Sequence, residues 1–197
     1  GAYMVQGLDQ GTYYLIEVAA PTGYERTTVV TEIKVVPEYD EAAYTDYTKG
    51  GNALVNDPKE DATVTVLNDE TEIEISKVDI TSQEEVEGAT LQIIQIVTDE
   101  AGEEVENVLY QWVSGDDKDA EGNIIPHKIA GLETDVEYIL RETIAPEGYE
   151  IAADSKFVVN EDGTVTPIGA TVVQDGIILV EDAPVPELEK KVQENNR

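Results

Sequence analysis

The sequence predicts an all-β fold, antiparallel sandwiches in tandem, with the first sandwich incomplete at its N-terminus. Three observations carry that expectation. Helical periodicity is nearly absent, while alternating runs rich in Val, Ile, Thr and Tyr recur between turn signals. One short phrase occurs twice, as Tyr13-Tyr14-Leu15-Ile16-Glu17-Val18-Ala19-Ala20-Pro21-Thr22-Gly23-Tyr24 and as Tyr138-Ile139-Leu140-Arg141-Glu142-Thr143-Ile144-Ala145-Pro146-Glu147-Gly148-Tyr149. A hydrophobic content of 41% over 197 residues is enough for packed cores, despite the heavy charge.

The elements follow in order. The first unit, 1–71, holds candidate strands at Thr12–Val18, Thr27–Val36 and Ala62–Leu67. Between them, 37–61 is a long excursion with Tyr39, Tyr44 and Tyr47 ahead of Gly50-Gly51-Asn52. A loop of that length is either packed on its own domain or used for contact, and exposed tyrosines suit an interface. The second unit, 72–185, carries Glu72–Asp79, Thr90–Val97, Val108–Val113, Val136–Thr143, Lys156–Asn160, Thr164–Pro167 and Gly176–Glu181. Turns are marked by Asp99-Glu100-Ala101-Gly102, Ala120-Glu121-Gly122-Asn123 and Glu161-Asp162-Gly163. Residues 186–197 read as a linker and a short polar helix. Only sixteen residues precede Glu17, against sixty-five from Lys77 to Glu142. The expectation is that strands of the first unit are missing, or come from an N-terminal fragment that completes it.

Composition narrows the function. Forty-three acids against twelve bases give a formal net charge of −31. No basic stripe is present to displace counterions from phosphate, so neither nucleic acid nor an anionic membrane surface is an expected partner. The absence of cysteine rules out a disulfide framework and a thiolate metal site. No apolar run approaches the length of a membrane span.

Strand parity then exposes an unusual set of side chains. In the second phrase Tyr138, Leu140 and Glu142 share one face. Lys77 lies on the face of Ile73 and Ile75, and Asp182 on the face of Ile178 and Val180. Glu181 has the opposite parity and ranks behind Asp182. A lysine, a glutamate and an aspartate would thus all face one core, which is costly unless they are paired. Desolvation favours the neutral form of a buried amine, which is the nucleophile, and keeps a proton on a buried carboxyl. A protonated Glu142 could polarise the Asp182 carbonyl and shuttle protons while the Lys77 amine attacks. The product is a side-chain amide and one water, formed without an external enzyme because folding supplies the proximity. The alternative is a buried salt-bridge cluster that never reacts.

These residues resemble a known family. The phrase Tyr-x-Leu-x-Glu-x-x-Ala-Pro-x-Gly-Tyr resembles the E-box of Cna B-type (SpaA-like) domains, which occur in pilins and adhesins on Gram-positive bacterial surfaces. Ser76-Lys77-Val78-Asp79, Gly88-Ala89-Thr90-Leu91 and Ile129-Ala130-Gly131-Leu132 also look like that family. The resemblance implies an immunoglobulin-like or prealbumin-like β-sandwich with an intramolecular isopeptide bond between its first and last strands. It implies Lys77 as amine donor, Glu142 as catalytic acid and Asp182 as acceptor, where Asn is the usual acceptor. In the first unit it implies Glu17 as the acid and Asn68, on the face of Val64 and Val66, as the acceptor. No lysine precedes Glu17, and Lys34 lies on the wrong side of the phrase. The implied role is a structural stalk segment, extracellular and anchored to the cell wall through other segments. Its implied partners are neighbouring domains of the same surface protein. A ligand-binding module using 37–61 to contact a host protein or glycan is the rival role.

Other signals are weaker. His127 is the sole histidine and reads as an exposed turn residue. Asp116 to Asn123 carries spaced oxygen ligands like a calcium loop, but Lys128 stands where the closing acid belongs, so it reads as an acidic hairpin. No metal or cofactor is expected, and no enzyme acting on an external substrate.

Overall fold

In the computed structural model, residues 3–5, 8–35, 53–55 and 64–186 are described. Among them every regular element is a strand: β1 (Gly11–Leu15), β2 (Thr31–Val35), β3 (Ala53–Val55), β4 (Val64–Val66), β5 (Glu72–Asp79), β6 (Thr90–Thr98), β7 (Glu104–Val113), β8 (His127–Ala130), β9 (Glu137–Ile144), β10 (Ser155–Val159), β11 (Val165–Ile168), β12 (Val172–Gln174) and β13 (Ile177–Asp182). No helix among the described residues is long and apolar enough to cross a membrane. Most of the 37–61 excursion, with its three tyrosines, and the 187–197 tail lie outside the described residues.

The chain divides into two compact units, 1–71 with 130–134 and 161–163, and the remainder. The second is a sandwich of two sheets, ordered β11-β10-β9-β6-β7 and β12-β13-β5-β8. Its core follows from alternation. Ile73 and Ile75 on β5, Leu91 and Ile93 on β6, Tyr138 and Leu140 on β9, Phe157 and Val159 on β10, and Ile178 and Val180 on β13 are all buried. Tyr138 and Phe157 pack tilted across neighbouring strands, with ring centroids 5.7 Å apart.

Two details differ from a plain antiparallel sandwich. β5 and β13 pair in parallel, with Lys77 opposite Val180 and Asp79 opposite Asp182. The β6–β9 ladder slips between Thr90 and Leu91, so that Thr90 faces Ile144 while Leu91 faces Glu142. Thr143 is left without a ladder partner, and its hydroxyl donates to the Thr90 carbonyl at 3.2 Å. A bulge of this kind re-aims the neighbouring side chain, here the glutamate.

The first unit is more open. β1 and β2 pair antiparallel with Tyr13 opposite Ile33, and β3 pairs with β4. β1 ends at Leu15, so Glu17 lies just past the strand rather than inside it. β2 begins at Thr31, later than the alternation suggested. Three further corrections belong to the second unit. β8 and β12 are short strands that the sequence did not reveal, and β7 starts at Glu104 rather than Val108. His127 is no exposed turn residue: it sits in β8, stacked on Trp112 at 4.5 Å between centroids, with Nδ1 2.6 Å from Asp117.

Candidate functional site

Lys77, Glu142 and Asp182 meet inside the second sandwich. Lys77 is 2% exposed, Glu142 4% and Asp182 0%. Each arrives there by alternation from its own strand: Lys77 follows Ile73 and Ile75 inward, Asp182 follows Ile178 and Val180, and Glu142 follows Tyr138 and Leu140 from the opposite sheet. The Lys77 ammonium nitrogen is in direct contact with Asp182 Oδ1 and lies 3.5 Å from Glu142 Oε1. It also donates to the Val180 carbonyl at 3.3 Å.

The two oxygens of Glu142 are treated differently. Oε2 accepts a hydrogen bond from the Ala152 N–H at 2.6 Å. Oε1 is buried without a hydrogen bond, as are both oxygens of Asp182. Burial pushes the Glu142 carboxyl above the ordinary carboxylate range, and the Asp182 charge adds to this. The Ala152 N–H and Lys77 pull the other way without reversing it. Burial thus biases Glu142 toward its protonated form beside the lysine–aspartate contact. On the outer face of β9, Arg141 forks onto Glu106 and Asp154 with bonds of 2.8–3.1 Å, fixing the strand that carries the acid.

Glu181, the second-ranked acceptor, faces away from this cluster and takes a hydrogen bond from Gln83 at 2.9 Å. In the first unit Glu17 and Asn68 also come together. The Asn68 amide donates to Glu17 Oε2 at 2.6 Å and to the Glu25 carbonyl at 2.9 Å. The Thr27 N–H donates to the same Glu17 oxygen at 2.8 Å. Lys34 stays on the exposed side of β2. The backbone donors ten residues past each glutamate, Ala152 and Thr27, are site groups that residue types do not announce.

The acidic stretch from Asp116 forms a hairpin closed by Lys118 opposite Ile124. Its Asp119 accepts from the backbone of Glu121 and from Asn123, and these bonds hold its carboxyl below the ordinary range, with the Asn123 side chain contributing most. Among the described residues no group of three His, Asp or Glu side chains is placed to hold a metal ion.

No curated protein matches the chain in sequence. Solved structures similar to it include the pilus adhesin SpaC from Lactobacillus rhamnosus GG, 20% identical over 94% of this chain and 26% of that one, with a TM-score of 0.41. The C-terminal domain of the shaft pilin SpaA from the same organism is 18% identical over 58% of this chain and 98% of that one, with a TM-score of 0.35. The pilus adhesin RrgA from Streptococcus pneumoniae is 16% identical over 64% of this chain and 17% of that one, with a TM-score of 0.40. The chain thus spans about a quarter of the length of SpaC. The family described as the SpaA prealbumin-like fold domain matches residues 71–171, and the chain belongs to that family.

Proposed function

We propose that this chain is a structural stalk segment of a Gram-positive cell-surface pilin or adhesin, stiffened by an isopeptide bond between Lys77 and Asp182 that forms under catalysis by Glu142. The observation that carries the reading is the enclosed contact of Lys77 with Asp182, beside a glutamate whose free oxygen and both aspartate oxygens lack hydrogen bonds. Buried acceptors left without hydrogen bonds call for an explanation, and an unreacted triad would keep a lysine–aspartate ion pair in an apolar core. Family membership supports the surface role.

The chemistry balances within the site. The Lys77 nitrogen attacks the Asp182 carboxyl carbon, a C–N bond forms, and one C–O bond breaks. The nitrogen loses two protons, and both leave with the departing oxygen as water. Glu142, protonated through burial, polarises the carbonyl, gives its proton to the leaving oxygen and takes one from nitrogen in its place, ending as it began. The product removes both the ammonium and the aspartate charge from the core. It also closes a loop of about a hundred residues in the unfolded chain, which the chain-entropy argument values at about 4–5 kcal/mol.

In the first unit, Glu17 is the corresponding acid and Asn68 the corresponding acceptor for a bond to a lysine amine. Loss of ammonia would accompany that bond. Intact mass under denaturing conditions tests the main claim. The expected result is a deficit of one water, abolished by Lys77→Ala and by Glu142→Ala; a full-length mass equal to the sequence mass overturns it.

A further inference from the structure

The two copies of the repeated phrase end in the same hydrogen-bonded staple, and that staple reaches the acceptor strand. In the second unit the Glu150 N–H donates to the Ala183 carbonyl at 3.0 Å and the Val185 N–H to the Gly148 carbonyl at 2.8 Å, bracketing Tyr149 opposite Pro184. In the first unit the Glu25 N–H donates to the Asp69 carbonyl at 2.8 Å and the Thr71 N–H to the Gly23 carbonyl at 3.0 Å, bracketing Tyr24 opposite Glu70. Counted from the acceptors Asp182 and Asn68, the contacts fall at the same offsets. The turns before them also agree: the Tyr149 N–H donates to Pro146 and the Tyr24 N–H to Pro21, each at 3.1 Å. Gly148 and Gly23 supply the positive φ, 89° and 80°, that these turns require.

Tyr149 adds a third strand. Its hydroxyl donates to Asp79 Oδ2 at 3.0 Å, two residues past Lys77 on β5. Asp79 is itself fixed, because its Oδ1 accepts the N–H groups of Thr81 at 2.7 Å and Ser82 at 2.8 Å. Beside it the Ile80 N–H donates to the Asp182 carbonyl at 2.9 Å. Tyr24 lacks that reach, and its hydroxyl lies 3.5 Å from Glu70 Oε1 instead.

We infer that Tyr149 is a positioning residue for the isopeptide reaction: the backbone of its neighbours Gly148 and Glu150 holds the residues that follow β13, and its own hydroxyl holds β5 through Asp79, so that the Lys77 nitrogen and the Asp182 carbon stay within reacting distance. The inference rests on the reading given under Proposed function. The turn that follows the acid-bearing strand thus ties to the acceptor strand through its main chain and to the amine strand through the Tyr149 hydroxyl. Reactions that depend on imposed proximity lose up to about a hundredfold in rate for an ångström of misplacement.

The test follows water loss against time by intact mass, after cell-free synthesis of the full chain. Tyr149→Phe and Asp79→Ala are expected to slow water loss roughly tenfold or more. Asp79→Asn, which keeps a hydrogen-bonding partner for the hydroxyl, is expected to stay within about twofold of the natural chain. The same substitutions placed in the unreactive Glu142→Gln chain separate positioning from folding: an unchanged melting midpoint there, with slowed reaction in the Glu142 chain, supports the proposal. Reaction at the natural rate in Tyr149→Phe overturns the proposal and leaves the bond reading standing. A natural chain that never loses water overturns the bond reading itself.

Discussion

Glu17 and Glu142 are held alike and surrounded differently. Each takes a hydrogen bond on Oε2 from the backbone N–H ten residues on, at 2.8 and 2.6 Å. Glu142 then faces a buried lysine and aspartate, while Glu17 is half-buried and shares its clamped oxygen with the Asn68 amide. The clamp and the staple therefore accompany both copies of the repeated phrase. The reactive environment does not. It needs a lysine strand alongside the acceptor strand, and in the second unit that is β5 against β13. The phrase provides aim, and the rest of the sandwich provides dryness.

This contrast can be broken at several points. The largest effect should come from Lys77→Ala. It removes the proposed covalent tie and leaves Glu142 and Asp182 buried side by side, which should cost the second unit about 3–5 kcal/mol beyond any lost loop closure. Urea unfolding followed by Trp112 fluorescence would read this, and a midpoint equal to that of the natural chain would show that the lysine carries no such load. Next, Ala152→Pro deletes the clamp donor in the second unit and Thr27→Pro deletes it in the first. An orphaned buried group costs about 1–3 kcal/mol, and the drier Glu142 should sit at the upper end. Amide hydrogen exchange resolved by unit would compare the two; equal losses would mean that burial does not distinguish the sites.

A smaller loss, about 1 kcal/mol, is expected for Asn68→Ala, because Glu17 keeps its bond from Thr27 and some solvent. Exchange protection of the Thr27 amide is the readout. The smallest effect is a slope. Burial raises the folded-state carboxyl of Glu142 above its ordinary value of 4.5, so its stabilising share is complete below that pH and is lost as pH rises through the raised value. In a Lys77→Met chain, which cannot form the bond, adding Glu142→Gln should therefore gain in relative stability with rising pH. A flat difference between pH 4 and pH 8 would place Glu142 in a more solvated setting.

Much of this was legible in the residues. Period-two alternation placed Lys77, Glu142 and Asp182 on inward faces because one face of each strand is apolar, and a charged residue in that row has nowhere else to point. Glu181 was separable from Asp182 on the same ground. What escaped was of other kinds. β12 has three residues and β8 four, too few for alternation to register. β7 is an edge strand whose Glu104 and Glu106 are exposed, so its first half carries no apolar row. The Trp112–His127 stack joins residues that have nothing in common locally. The clamp donors at Ala152 and Thr27 are main-chain groups, which every residue but proline possesses. The bulge at Thr143 depends on the partner strand and has no signature of its own.

The parallel pairing of β5 with β13 has a mechanical reading. Two neighbouring strands that run the same way bring the chain in at one end of the sheet and let it out at the other. A force drawn between entry and exit then runs along both strands and loads their rungs together in shear, from Glu74 opposite Ile177 to Asp79 opposite Asp182, where a hairpin would give way rung by rung.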